Sequence, residues 1–246
     1  MKKKNVFLLI FRIVSAIIII ACLVKIFIWL KENKSNKQLQ DKLLSKINTD
    51  IDSENDQDKK LDNVDFEELF EINPNTVGWI QVPGTDINYC VAKADDNEFY
   101  LTHAFDNSYN SAGWIFADYR NNFNGADKNI IIYGHNRHNG SMFSTLKNIL
   151  NEEWYTNEEN YIITFYTPDG VKNYKVFSVY QVPVSELNLP VSFDNNKDFT
   201  SYLDDIKNRS IYDFNESVGK SDSIITLYTC TDNNLSRILL HAKLMN

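Results

Sequence analysis

The feature that most limits what this chain can become is the run from Val6 to Leu30, which is apolar except for Arg12, Ser15 and Lys25. As a helix rising about 1.5 Å per residue it would reach ~38 Å, enough to cross a hydrocarbon layer of about 30 Å. Arg12 and Lys25 sit towards opposite ends, where long cationic side chains reach the headgroups. Residues 1–30 carry five basic groups and no acid. The Lys2-Lys3-Lys4 cluster is expected to stay cytoplasmic, placing the remainder outside the membrane as a single-pass protein. A cleaved signal peptide is the rival reading. The run is long for one, and no small-residue cleavage site precedes a polar start. Ile20-Ala21-Cys22 faintly resembles a lipoprotein box, but Leu23 to Leu30 stays mostly apolar.

The rest of the 246-residue chain holds 20 basic and 33 acidic groups. So acidic a body lacks the Lys/Arg clusters that displace counterions from a phosphate backbone, which argues against nucleic-acid binding. Residues 31–63 contain no Gly, Pro or aromatic residue. Leu39, Leu43, Ile47 and Ile51 recur every fourth position, the spacing of one helical stripe. This segment is expected to be a polar stalk, helical at first and fraying from Asp50 to Lys60. The folded domain is then expected to span 64–246.

Val64 to Ile72 has the spacing of a short helix stopped at Asn73-Pro74. Beyond it the period changes to two. Trp79–Val82 and Ile87–Ala92 predict strands about a Pro83-Gly84 turn. Gly113–Tyr119 and Asn129–Tyr133 follow as strands, and Ser141–Leu150 has helical spacing. Tyr161–Thr167 and Val171–Val182 flank the hairpin signature Pro168-Asp169-Gly170. Phe199, Tyr202, Leu203 and Ile206 mark a helix. Ser223–Cys230 and Ser236–Leu244 are strands joined at Thr231-Asp232-Asn233-Asn234. The fold class is mostly β: about eight short strands with a few flanking helices, closing as one barrel-like domain behind the transmembrane helix.

Three residues carry candidate chemistry. Cys230 ends an apolar strand, Arg237 lies on the returning strand, and His135 follows Asn129–Tyr133 through Gly134. A thiol becomes a strong nucleophile when deprotonated, which nearby cations favour. An imidazole can carry protons to a leaving amine, and a guanidinium can stabilise an oxyanion. Each residue also has an ordinary reading, as a core thiol, a turn histidine and a surface ion-pair former.

The wording of the motifs lifts the signal. Thr226-Leu227-Tyr228-Thr229-Cys230 has the form T-L-x-T-C, followed by Arg237 and preceded by Tyr133-Gly134-His135-Asn136. This strongly resembles the sortases, membrane-anchored cysteine transpeptidases of Gram-positive bacteria, and class B in particular. Val77-Gly78-Trp79-Ile80, Asn97-Glu98-Phe99-Tyr100-Leu101, Gly113-Trp114-Ile115-Phe116 and Asp118-Tyr119-Arg120 extend the likeness, as does the helix near Phe199 to Ile206.

The resemblance implies an eight-stranded sortase-type β-barrel with Cys230 as nucleophile, His135 as general acid/base and Arg237 as oxyanion or substrate clamp. It implies cleavage after Thr in a five-residue sorting signal with Pro second and Thr fourth. Transfer to an amine of peptidoglycan or its lipid-linked precursor would then join a surface protein to the wall. By position, Tyr133, Tyr228, Thr229, Asn97 and Leu101 are the implied substrate-binding residues. Asp232 stands where some relatives carry an acid, and is not assigned a triad role. Cys90 departs from the family pattern, which commonly has Pro there; it is expected to be buried, with a disulfide or redox role as the minor alternative.

No cofactor and no metal are expected. His135 and His138 form an H-x-x-H pair without helical spacing or a third ligand, and Asp95-Asp96-Asn97-Glu98 is expected to be a solvated turn. Two other functions remain open at this stage: a peptidase that only hydrolyses, and a tethered binding module in which Cys230 is a core residue.

Overall fold

The computed structural model describes residues 2–49, 61–231 and 235–245. Asp50 to Lys60, expected to be the fraying end of the stalk, lie outside the described residues, as do Asp232 and the rest of its turn through Asn234. A 43-residue helix, α1 (Lys2–Leu44), opens the chain. Its apolar part is long and hydrophobic enough to cross a membrane, and the side chains from Val6 to Leu30 project away from the body.

The helical stripe expected to run through Ile51 stops earlier. α1 ends at Leu44, and β1 (Ile47–Thr49) pairs antiparallel with β2 (Leu61–Val64). Leu43 and Ile47 still face inward, at 0% and 7% exposure. Apolar spacing therefore located the buried positions, while the partner strand decided the backbone.

After α2 (Phe66–Ile72), whose first turn is capped by the Asp65 carboxylate accepting from Glu68 N, the chain builds β3 (Thr76–Val82), β4 (Ile87–Ala92), β5 (Phe116–Ala117) and β6 (Asn129–Tyr133). A short helix, α3 (Glu152–Thr156), leads to β7 (Ile162–Thr167) and β8 (Gly170–Pro183). Then come α4 (Asn196–Asn208), β9 (Ile224–Cys230) and β10 (Ser236–Leu244). Eight strands close a barrel in the order β10-β8-β7-β3-β4-β5-β6-β9.

One expected strand is much shorter than its pattern. Of Gly113–Tyr119 only Phe116–Ala117 is paired as a strand. Gly113 adopts φ +63°, Trp114 N donates to Tyr100 O, and Asp118 N donates to Ile131 O of β6. Close-packed loops take over the hydrogen bonds that a longer ladder would have used.

The barrel interior is filled by Ile80, Val82, Val91, Ile132, Phe165, Val179, Ile225, Leu227, Ile238 and Leu240 among others. A second cluster lies on the outer face, where Phe199, Tyr202, Leu203 and Ile206 of α4 cover Phe177, Tyr180, Ile224 and Leu239. The i, i+3, i+4, i+7 spacing of these α4 residues makes one helical stripe. Asn195 caps the helix, accepting from Lys197 N and Asp198 N.

Candidate functional site

Strand pairing decides which side chains meet. Arg237 of β10 lies directly opposite Cys230 of β9, and Leu239 opposite Tyr228. Successive residues of a strand point to opposite faces. With Ile225, Leu227, Ile238 and Leu240 inside the barrel, Cys230, Tyr228 and Arg237 share the outer face. β6 runs parallel to β9 with Tyr133 opposite Tyr228. The chain continues through Gly134, whose N–H donates to Tyr228 O at 3.2 Å and whose carbonyl accepts from the Thr229 hydroxyl at 2.7 Å. His135 thus leaves β6 beside the end of β9, and the three candidate residues collect at one end of the barrel on three adjacent strands.

Gly134 is required by packing. A Cβ there would lie 2.4 Å from Phe143 Cγ, and the same segment is held by Phe143 N donating to His135 O. The half-buried His135 ring rests against Gly113, where a Cβ would stand 2.7 Å from His135 Cδ2. Nε2 of His135 is 3.0 Å from the Leu101 carbonyl. A carbonyl only accepts, so Nε2 carries the hydrogen and Nδ1 bears the lone pair of the neutral ring. Burial pushes the His135 pKa down, the Leu101 carbonyl opposes this, and the Arg137 charge adds to it. The net shift is downward, which favours the neutral base.

Arg237 is held by its neighbours. Its Nε donates to the Tyr228 hydroxyl, its Nη1 donates to Ser236 O at 2.9 Å, and its guanidinium lies 5.8 Å from the Tyr228 ring centroid. Tyr228 in turn meets Tyr133 edge to face at 5.1 Å. The Tyr133 hydroxyl donates to Asp118 Oδ2 at 2.7 Å. Asp118 is fully buried and gripped by Arg120 through Nε and Nη2, with Asn97 Nδ2 donating to it at 3.1 Å. Burial alone would push the Asp118 carboxyl up, but the bonds from Arg120, Tyr133 and Asn97 outweigh it and bring it to about 2. Asp118 therefore stays an anion that orients the Tyr133 hydroxyl. Tyr133 itself is pushed well up by burial and by this anion, so it remains a neutral donor.

The implied substrate-binding residues fall into two groups. Tyr133, Tyr228, Asn97 and Leu101 gather around this network or around His135, and Leu101 is 39% exposed. Thr229 is 1% exposed, its hydroxyl spent on Gly134. Asp118 and Arg120 were visible as part of a motif but not as an ion pair between a buried carboxylate and a part-exposed guanidinium that organises the site. Their signal was an acid and a base two residues apart after a short apolar strand, which by itself fits any surface turn. Elsewhere, Cys90 is buried, and it and Cys230 are both free thiols. Burial pushes the Cys90 thiol well up, which keeps it protonated and inert. Asp96 caps the Phe99–Leu101 turn, accepting from Glu98 N and Phe99 N.

Residues 80–245 match the profile of the Sortase domain family. The chain belongs to the sortase family. It is 34% identical over 226 residues to the sortase B of Listeria monocytogenes, covering 90% of this chain and 89% of that protein. The crystal structure of Bacillus anthracis sortase B in complex with AAEK1 superimposes with a TM-score of 0.76 at 30% identity, covering 88% of this chain and 99% of that one. A Staphylococcus aureus sortase B–substrate complex gives a TM-score of 0.69 at 34% identity, over 74% of this chain and 84% of that one. The enzyme is a cysteine transpeptidase of the sortase B type, built on the closed eight-stranded barrel that the motifs implied.

Proposed function

We propose that the enzyme is anchored in the cell membrane by α1, with its N-terminus cytoplasmic and its barrel outside, and joins surface proteins to peptidoglycan. The observation that carries the site assignment is the cross-strand pairing of Arg237 with Cys230 beside the His135 segment. The Cys230 thiol gives its proton to His135, and the sulfur attacks the carbonyl after Thr in a sorting signal with Pro second and Thr fourth. The sulfur–carbon bond forms, and the carbonyl oxygen takes negative charge beside the Arg237 guanidinium. Collapse of the intermediate breaks the peptide C–N bond, and His135 delivers the proton to the leaving amine. The amine of peptidoglycan or its lipid-linked precursor then attacks the thioester. Its proton passes to His135, and the Cys230 thiolate departs. Tyr133, Tyr228, Asn97 and Leu101 line the approach of the signal, and Thr229 supports it from beneath through Gly134.

Orientation rests on the five basic groups of residues 1–30. The test uses the full chain in detergent micelles with fluorescent pentapeptides containing Pro second and Thr fourth, with and without an amine. Wild type is run beside Cys230→Ala. Cys230-dependent cleavage with amine-linked product is expected. Cys230-dependent release of the free acid alone, whatever the amine, would make the enzyme a peptidase. No cleavage by a folded wild type would leave a binding module.

A further inference from the structure

The polar segment that follows the apolar run is joined to the catalytic body by a set of hydrogen bonds, those of the Asn36 side chain buried. Asn36 is 7% exposed and lies on α1, yet its Oδ1 accepts from Asn110 Nδ2 at 2.8 Å and its Nδ2 donates to Gly113 O at 3.3 Å. Asn110, 2% exposed, also donates to Glu32 O at 3.0 Å. Its own Oδ1 accepts from Ala112 N, and its backbone carbonyl accepts from Gly113 N. The Ser111 hydroxyl donates to the Glu32 carboxylate. One turn nearer the membrane side, Asn33 Oδ1 accepts from Arg137 Nη2 at 2.8 Å, while Arg137 Nη1 donates to Ser111 O at 3.3 Å. Further along, Gln40 donates to Asn88 O at 2.6 Å and Leu43 is fully buried.

Two of these attachments end at His135. Gly113, whose carbonyl Asn36 holds, touches the His135 ring. A hypothetical Cβ on Gly113 would stand 2.5 and 2.9 Å from the Tyr100 and Leu101 carbonyl oxygens. Leu101 O is the partner of His135 Nε2. Arg137, which Asn33 holds, lies two residues beyond His135 and depresses its pKa through its charge. The ring is thus bracketed by a loop and a chain segment that both take their position from one helix. That helix is the one that crosses the membrane, continuous from Val6 to Leu44.

The geometry points to Asn33 and Asn36 of the anchor helix as positioning residues for His135, acting through Arg137 and the Asn110–Gly113 loop. The anchor is then part of the catalytic scaffold as well as a tether. The idea rests on the transpeptidase reading only for the role it gives His135. Helix residues that do not touch this bracket, such as Leu43, contribute stability alone.

The full chain in detergent micelles tests this with a processed sorting peptide and an amine. Asn33→Ala and Asn36→Ala each remove hydrogen bonds to a buried or charged group, so kcat is expected to fall about tenfold. KM for the peptide should stay within twofold, because neither residue faces the signal. Asn33→Asp keeps an acceptor for Arg137 and is expected to restore kcat. Leu43→Ala should lower the melting temperature while leaving kcat, measured below the transition, at the wild-type value. Two results overturn the inference: kcat within twofold of wild type in both alanine variants, or an equal kcat loss in Leu43→Ala.

A second readout is independent of activity. In Asn36→Ala, amide exchange should quicken at Trp114 N and Phe143 N, which donate to Tyr100 O and His135 O. Unchanged exchange at both sinks the coupling. A wild type that processes no peptide would defeat the transpeptidase reading, while the exchange comparison would still decide whether the helix holds the loop.

Discussion

Strands β9 and β10 present one continuous outer face whose two ends have opposite characters. At the end near Ile224, α4 seals the face, and Ile224, Thr226, Leu239 and His241 are fully buried. Its polar groups are matched to one another: the Thr226 hydroxyl donates to Asn129 Oδ1 at 2.7 Å, and the His241 ring bonds Thr226 and the Tyr180 hydroxyl. At the other end Tyr228 only borders the α4 cluster, and Tyr228, Cys230 and Arg237 are all part-exposed. The same two strands therefore hold a packed, neutral histidine at one end and the proposed reactive cluster at the other. Cover by α4 is what separates a structural polar group from a chemical one.

The comparison can be broken in four ways. Cys230→Ala should bring the largest change, transpeptidation falling by more than ~10⁴-fold because no covalent intermediate forms. Since Cys230 is part-exposed, its loss should move the melting temperature by only about 2 °C. Activity surviving in Cys230→Ala would remove the nucleophile from the mechanism.

Next, Arg237→Ala at the open end and Phe199→Ala under the cover are expected to cost similar energies in different currencies. Loss of the proposed oxyanion donor is expected to lower kcat by about 10²–10³-fold, with stability little changed. Loss of the fully buried Phe199 ring destabilises the fold by ~3–5 kcal/mol, with kcat kept in the folded fraction. Denaturant melts beside steady-state kinetics decide whether the two effects separate as stated.

Acid should act on the covered end first. Burial drives the His241 pKa down from 6.5 to about 3. The folded chain then keeps His241 neutral while the unfolded chain protonates it below about pH 6.5. The stability tied to this group is therefore fully present above pH 6.5 and is lost as pH falls towards 3. His241→Gln should flatten that part of a stability–pH curve; a curve identical to wild type would show that α4 does not isolate the ring from water.

The smallest effect belongs to Tyr228→Phe, which removes the hydroxyl that Arg237 Nε donates to. A loss of about tenfold or less in kcat is expected, with KM changed little, since the guanidinium keeps its contacts with Ser236 O and the Tyr228 ring. A loss as large as that of Arg237→Ala would mean that the hydroxyl itself meets the substrate.

Most strands could be read from alternation and turn residues, and β6 and β10 match their expected bounds. The Gly113–Tyr119 strand was overextended because its apolar pattern serves loop packing, with Trp114 Nε1 donating to Cys90 O and Asp118 turned into its ion pair. The stalk stripe was legible at Leu43 and Ile47, but its polar members were not. Asn33, Asn36 and Gln40 look like solvated helix residues until the loops they meet are in place.

Local signals carry as far as element type, the apolar span and the wording of the Cys230, His135 and Arg237 motifs, because periodicity and turn chemistry are properties of neighbouring residues. The shared outer face of those three depends on register between segments far apart in the chain, such as the bond from Thr229 to Gly134 across 95 positions. The anionic Asp118, the neutral His241 and the docking of α1 likewise arise from burial and long-range hydrogen bonding. Those are energies of groups brought together from distant segments, and they come into being only when the barrel closes.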